Sequence, residues 1–311
     1  MVKNLQALQL YLSGNLKQQL LREICEGSVE ITNSCQWLAK CQIDDDTQTG
    51  GGYGLMFKRV AQQVVSQAVV DRMNSIANIA PTSWFNTFKV QTISNAFGSS
   101  VNCDYFPVHI TSLPTGMTVD NFLEYFRTHI NQFIDQSIGV SFSPYSDGSF
   151  SDAAQFNLSY EQSIGALVHL NLINDGTVVE SGYYRNATSV KSRFTFSTIS
   201  SPLDYAHPVS GNREFGIFTE PNNTGFTFYT MGVDRTTDFF FGVGNLGDFG
   251  FHNADALWSN IQKNISAYIN NLPGGAAVVQ QPVIARPNWN AVKNYLMGKI
   301  SFATLKSNLG C

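Results

Sequence analysis

Ionisable side chains are scarce in this chain, so the places where they gather are the first to read for chemistry. One stretch runs Asp204-Tyr205-Ala206-His207-Pro208-Val209-Ser210-Gly211-Asn212-Arg213-Glu214, and the hairpin after it ends in Thr230-Met231-Gly232-Val233-Asp234-Arg235. An imidazole beside a carboxylate can move protons near neutral pH, and a guanidinium presents a planar fork to an anionic group. In a catalytic reading His207 is the general acid or base, and Glu214 or Asp234 orients it or shares its proton. Arg213 and Arg235 then hold an anionic part of the substrate, and Ser210 lies beside them with a hydroxyl that could act as nucleophile. In a structural reading Pro208 and Gly211 shape a turn, His207 and Asn212 satisfy its backbone, and the Arg and Asp side chains pair across strands.

Other motifs fail on their surroundings. Gly242-Val243-Gly244-Asn245-Leu246-Gly247 fits G-x-G-x-x-G after the apolar run Phe239-Phe240-Phe241. A dinucleotide site needs a helix that starts within the glycines and an acid after the next strand. Here a helix is expected only from Asn253, and no acid ends Ala276–Ala285, so a glycine-rich turn at a sheet edge is expected. Asp248-Phe249-Gly250 has no kinase catalytic loop around it. Asp44-Asp45-Asp46 before Gly50-Gly51-Gly52 lacks the glycine position and terminal Glu of an EF-hand, and reads as a solvated loop. The five histidines are scattered, so neither a metal nor a cofactor is expected.

Cys25, Cys35, Cys41, Cys103 and Cys311 are odd in number and irregular in spacing; Cys35 and Cys41 are expected as buried apolar thiols. Four N-x-S/T sequons, at Asn157, Asn186, Asn222 and Asn264, are expected from an Asn-rich composition alone.

Composition narrows the partners. Charged residues are 14% of the chain, against roughly a quarter in an ordinary domain, and Asn, Gln, Ser and Thr supply the polar surface. The net charge is −4 with its acidic surplus in residues 101–200, which leaves no basic face to follow a phosphate backbone and disfavours nucleic acid. No apolar run is long enough to span a membrane, and the first residues lack the pattern of a Sec signal peptide. A cytoplasmic location, or export by a dedicated machine, is therefore expected.

The elements that must position these residues follow from periodicity. Leu5, Leu8, Leu12, Leu16, Leu20 and Ile24 mark one amphipathic helix, and Phe57, Val60, Val64, Ala68 and Met73 a second one running to Asn78. Thr118 caps a third, with Phe122, Phe126, Ile130 and Phe133 on one face and Glu124, Arg127, Asn131 and Asp135 on another. From Gly139 to Gly244 the period falls to two, with turns at Asn174-Asp175-Gly176 and Asn222–Gly225, which predicts an antiparallel sheet of five or more strands. Asn253–Asn271 returns to helical spacing with Asn253 as cap, and two short helices close the chain.

The expected fold is thus α+β: a central antiparallel sheet at about residues 139–244 with N- and C-terminal amphipathic helices packed on it. Residues 1–311 read as a single domain, with 1–80 as a helical segment and 81–311 as the core if it is subdivided. Two functions follow. One is an effector or toxin-type hydrolase or transferase working at a sheet rim around His207. The other is a non-catalytic binding or assembly protein whose aromatic, Asn-rich strands and terminal helices contact proteins or glycans.

Overall fold

Alternation along the strands decides the architecture. In Asn102–Ser112 (β3), Phe106, Val108 and Ile110 enter one apolar cluster while Cys103 and Tyr105 enter another, and in Phe226–Thr236 (β9), Phe228 and Tyr229 divide in the same way. A sheet that is apolar on both faces must be covered on both. In this computed structural model, which describes residues 30–41, 53–79, 87–135, 138–171, 175–187, 191–220, 223–237 and 246–311, it is.

The remaining strands are Glu30–Ile31 (β1), Lys89–Val90 (β2), Ser141–Pro144 (β4), Leu167–Asn171 (β5), Gly176–Asn186 (β6), Lys191–Ser200 (β7), Val209–Thr219 (β8), Ala276–Val279 (β10) and Val283–Ala285 (β11). The sheet runs β1-β11-β3-β9-β8-β7-β6-β5-β4, with β10 also on β3 and β2 on β7. Only the β1–β11 pairing is parallel among the described strands. The expected antiparallel α+β fold is present.

The described helices are Ser34–Cys41 (α1), Tyr53–Ala61 (α2), Gln67–Ile79 (α3), Val119–Thr128 (α4), Ala153–Phe156 (α5), Leu246–Asn270 (α6), Trp289–Leu296 (α7) and Phe302–Leu309 (α8). On one face α4 and the long α6 press Phe122, Phe126, Trp258, Ile261 and Ile265 onto Phe194, Phe215 and Phe228. On the other, α1, α2 and α7 set Trp37, Phe57, Val60, Trp289 and Tyr295 against Tyr105, Tyr229 and Met231, while α3 covers Leu167, Val179 and Ile199. No helix among the described residues is long and apolar enough to cross a membrane.

Several expectations need correction. The helix expected from Phe57 to Asn78 is two: α2 stops at Ala61, where Asn212 Nδ2 donates to the carbonyls of Val60 and Gln63, and Ser66 Oγ then accepts the Val69 amide as α3 begins. Val64, expected on the buried stripe, lies in this break and is 76% exposed. Asn253 caps nothing, because α6 already starts at Leu246, inside the glycine motif. The dinucleotide reading still fails, since the described sheet around it is antiparallel and lacks a βαβ unit. Residues 276–285, read only as an apolar segment without a terminal acid, contain β10 and β11. Arg127, expected on a polar face, is buried: it donates to the carbonyls of Phe156 and Leu158 and faces Glu180.

Thr118 does cap α4, accepting the Asn121 amide. The expected helix at residues 3–26, the loop at 44–52 and residues 242–245 of the glycine motif lie outside the described residues.

Candidate functional site

Most of the two charged stretches lies within strands, with Asp204 to Pro208 in the turn that leads into β8. Ser210 to Glu214 belong to β8, Asp234 and Arg235 to β9, and the register sets Ser210 opposite Arg235 and Gly211 opposite Asp234. Consecutive strand residues point to opposite faces, so Arg213 and Glu214 part company, and so do Asp234 and Arg235.

Arg213 and Asp234 face α6. Arg213 Nη2 donates to Asp104 Oδ2 at 2.6 Å and Nη1 to Thr230 Oγ1 at 3.2 Å, and the guanidinium lies 4.0 Å from the centre of the Trp258 ring. Asp104 also accepts from the Gly232 amide and from Asn102 Nδ2, which is 3.4 Å from Asp234 Oδ2. Burial, with the nearby Asp104 charge, pushes the Asp234 carboxyl up to about 7 although Arg213 offsets part of the effect. Gly232 makes room for this crossing: a Cβ there would stand 2.2 Å from Arg213 Nη2.

Glu214, Arg235 and Ser210 face the terminal helices. Glu214 Oε1 accepts from Arg59 Nη2 and from the Tyr229 hydroxyl, each at 2.6 Å, while Oε2 lies 3.2 Å from Arg59 Nε and 3.1 Å from Arg193 Nε. Arg235 gives Nε and Nη2 to the Gly98 carbonyl and Nη1 to the Ile93 carbonyl beneath the Trp289 ring, and burial without a facing carboxylate lowers its pKa to about 10. Ser210 Oγ accepts from Gln91 Nε2 and shares a hydrogen bond with Thr237 Oγ1.

His207 is buried at the start of β8. Its amide donates to Gln91 Oε1, its carbonyl accepts from Gln91 Nε2 and the Thr237 hydroxyl, and Nδ1 meets the backbone of Val209. The ring lies against Gly176, where a Cβ would come within 2.4 Å of Cδ2. Desolvation lowers its pKa to about 4, which keeps it neutral at physiological pH. Among the described residues no carboxylate hydrogen-bonds this imidazole and no imidazole hydrogen-bonds Ser210. The six residues are thus not brought to one cavity: Arg213 and Asp234 meet Asp104 on one face, and Ser210 and His207 meet at Gln91.

Two groupings were not read from the sequence. His169, Asp175 and Asp204 bring ligand atoms within 4.8 Å of one another, with His169 Nδ1 2.8 Å from Asp204 Oδ2 and the Thr177 hydroxyl donating to the same oxygen. An imidazole and two carboxylates suit a divalent transition metal, and these are the residues that could hold one. The second grouping is Arg59, Lys191 and Arg193 around Glu214. Arg59 comes from a helix far away in sequence, so no local motif announces it, although Lys191 and Arg193 share a strand face at spacing two.

Cys35 is bonded to Cys311, which corrects the expectation of a buried thiol there; Cys41 and Cys103 are buried thiols.

No family model matches the chain, and no curated protein matches it. Among solved structures, ginseng major latex-like protein 151 from Panax ginseng aligns in two crystal forms. One aligns at 13% identity with a TM-score of 0.27, over 53% of this chain and 97% of that one; the other at 12% and 0.26, over 52% and 97%. Likeness at this level carries no argument for function.

Proposed function

We propose that this chain is a non-catalytic binding protein, the second of the two functions expected from its sequence. One observation carries the reading: of the six residues best suited to acid-base or nucleophilic chemistry, five are divided between two opposite faces of the sheet and His207 is buried just before β8, and protein groups engage all six. A general base needs an open path to a substrate proton, and a buried imidazole bound to its own strand has none. Large side chains left outside the core support contact with a partner: Phe97, Tyr183, Tyr184 and Tyr205 are between 36% and 55% exposed. Near the end of β6 the two rings point to opposite faces, Tyr184 beside Asn186 and Tyr183 toward Tyr160, and each offers an aromatic surface suited to sugar rings and to protein.

The Cys35–Cys311 bridge supports maturation in an oxidising environment, and so export over a cytoplasmic life.

Glycan-array binding and light scattering on the full chain test the reading, with Tyr183→Ala/Tyr184→Ala as the comparison. Retention of a glycan class, or self-association, that the double variant loses is the expected result. A wild type that is monomeric and retains no glycan contradicts it.

A further inference from the structure

The grouping around Glu214 is unbalanced. Oε2 of this one buried carboxylate faces Nε of both Arg59 and Arg193, and Lys191 lies two residues from Arg193 on the same face of β7. Three cations therefore share one anion. Elsewhere in the fold buried carboxylates are matched to guanidinium groups more evenly, as in Arg213 with Asp104 and Arg72 with Asp152. Nor are the three sealed: the Arg59 side chain is 30% exposed and that of Arg193 17%, against 4% for Glu214.

Their donors are only partly used. Arg59 spends Nε and Nη2 on Glu214, and Arg193 turns only Nε toward it. Among the described residues the Arg193 Nη groups and Lys191 Nζ have no hydrogen-bond acceptor, and Arg59 also reaches the Tyr229 hydroxyl. Aromatic rings fix their directions, with Arg193 4.0 Å over Tyr184 and Lys191 Nζ 5.9 Å over Phe218. Two guanidinium forks and an ammonium held this way match the several acceptors of a tetrahedral or planar oxyanion.

We propose that Arg59, Lys191 and Arg193 form a binding site for an oxyanion group, a phosphate, sulfate or carboxylate carried by a small ligand, with Glu214 as the internal counter-ion that holds the two arginines in place. Burial and the two neighbouring guanidinium groups depress the Lys191 pKa, a strain that a bound anion relieves. The site deepens the binding reading by naming a ligand class, and it rests on that reading.

Titration of the full chain with inorganic phosphate, sulfate and acetate, at ionic strength held constant with chloride, tests the site through the Nε–Hε NMR signals of Arg59 and Arg193. Saturable shifts are expected in the wild type, and the strongest of the three anions identifies the group. Lys191→Met, which leaves the Glu214 pairs intact, weakens binding about tenfold, as does Arg193→Gln, by loss of one charge-assisted contact. Lys89→Met, an exposed lysine elsewhere, changes nothing. No saturable shift with any anion, or equal affinity in Lys191→Met, overturns the site. Glycan retention or self-association that persists without anion binding would sink this inference alone and leave the proposed function standing.

Discussion

At the scale of single residues, the polar groups on this sheet act on stability first. Asp234 shows it most sharply, because its carboxyl titrates near 3.8 when unfolded and at about 7 when folded. Between those values the folded chain holds a proton that the unfolded chain has released. Stability is therefore full below pH 3.8 and falls as pH rises to 7, by about 4 kcal/mol at most. Asp234→Asn stays neutral throughout, so urea unfolding should find it close to wild type near pH 4 and clearly more stable than wild type at pH 8. An equal difference at both values would show that Asp234 ionises freely. The residue types were legible in the sequence, but the expected Arg–Asp pair across the hairpin is replaced by longer reaches: Arg213 meets Asp104 on β3, beyond β9, and Arg235 meets the carbonyls of Gly98 and Ile93. Their division between faces was legible too, since adjacent positions such as Arg213 and Glu214 cannot share a side once both lie inside a strand; placing them at strand ends hid this. The partners Asp104, Arg59 and Gln91 come from far away in the chain, and no local pattern links them.

At the scale of elements, period and capping carried most of what could be read. Thr118 marks the start of α4, and period-two runs mark β5 to β9. The strand β3 was not foreseen because most of Asn102–Ile110 is buried, so the sequence shows no in-and-out alternation. Pro107 at its centre also reads as a breaker. It is tolerated because its side of the strand faces the gap between β10 and β11, where its carbonyl accepts from Gln280 and Gln262 and a missing amide costs no ladder bond. The break between α2 and α3 was equally hidden, since its cause, Asn212, sits on β8. Asn212→Ala should cost about 1 to 3 kcal/mol in chemical unfolding, because the Gln63 carbonyl loses its Asn212 donor and the Ser197 hydroxyl its acceptor. A change within a few tenths would mean that α2 ends without help from Asn212.

At the scale of the whole molecule, both faces of one sheet are covered, by α4 and α6 on one side and by the terminal helices on the other. The disulfide ties α1 to the last residue across 276 positions of sequence. Bonds that close long loops restrict the unfolded chain most, so reduction or Cys35→Ser should lower stability by about 2 to 5 kcal/mol. Unchanged unfolding under reducing conditions would show that the helices hold the terminus without it. Spacing could not reveal this bridge, since five cysteines leave the pairing open and Cys41 was the nearer neighbour.

His207 acts as an internal brace, and an NMR titration of its ring signals checks this. His207, assigned by loss of its signals in His207→Gln, should stay neutral from pH 8 down to about 4. Protonation above pH 6, as for a base open to solvent, would contradict the account and return His207 to the list of candidate catalysts.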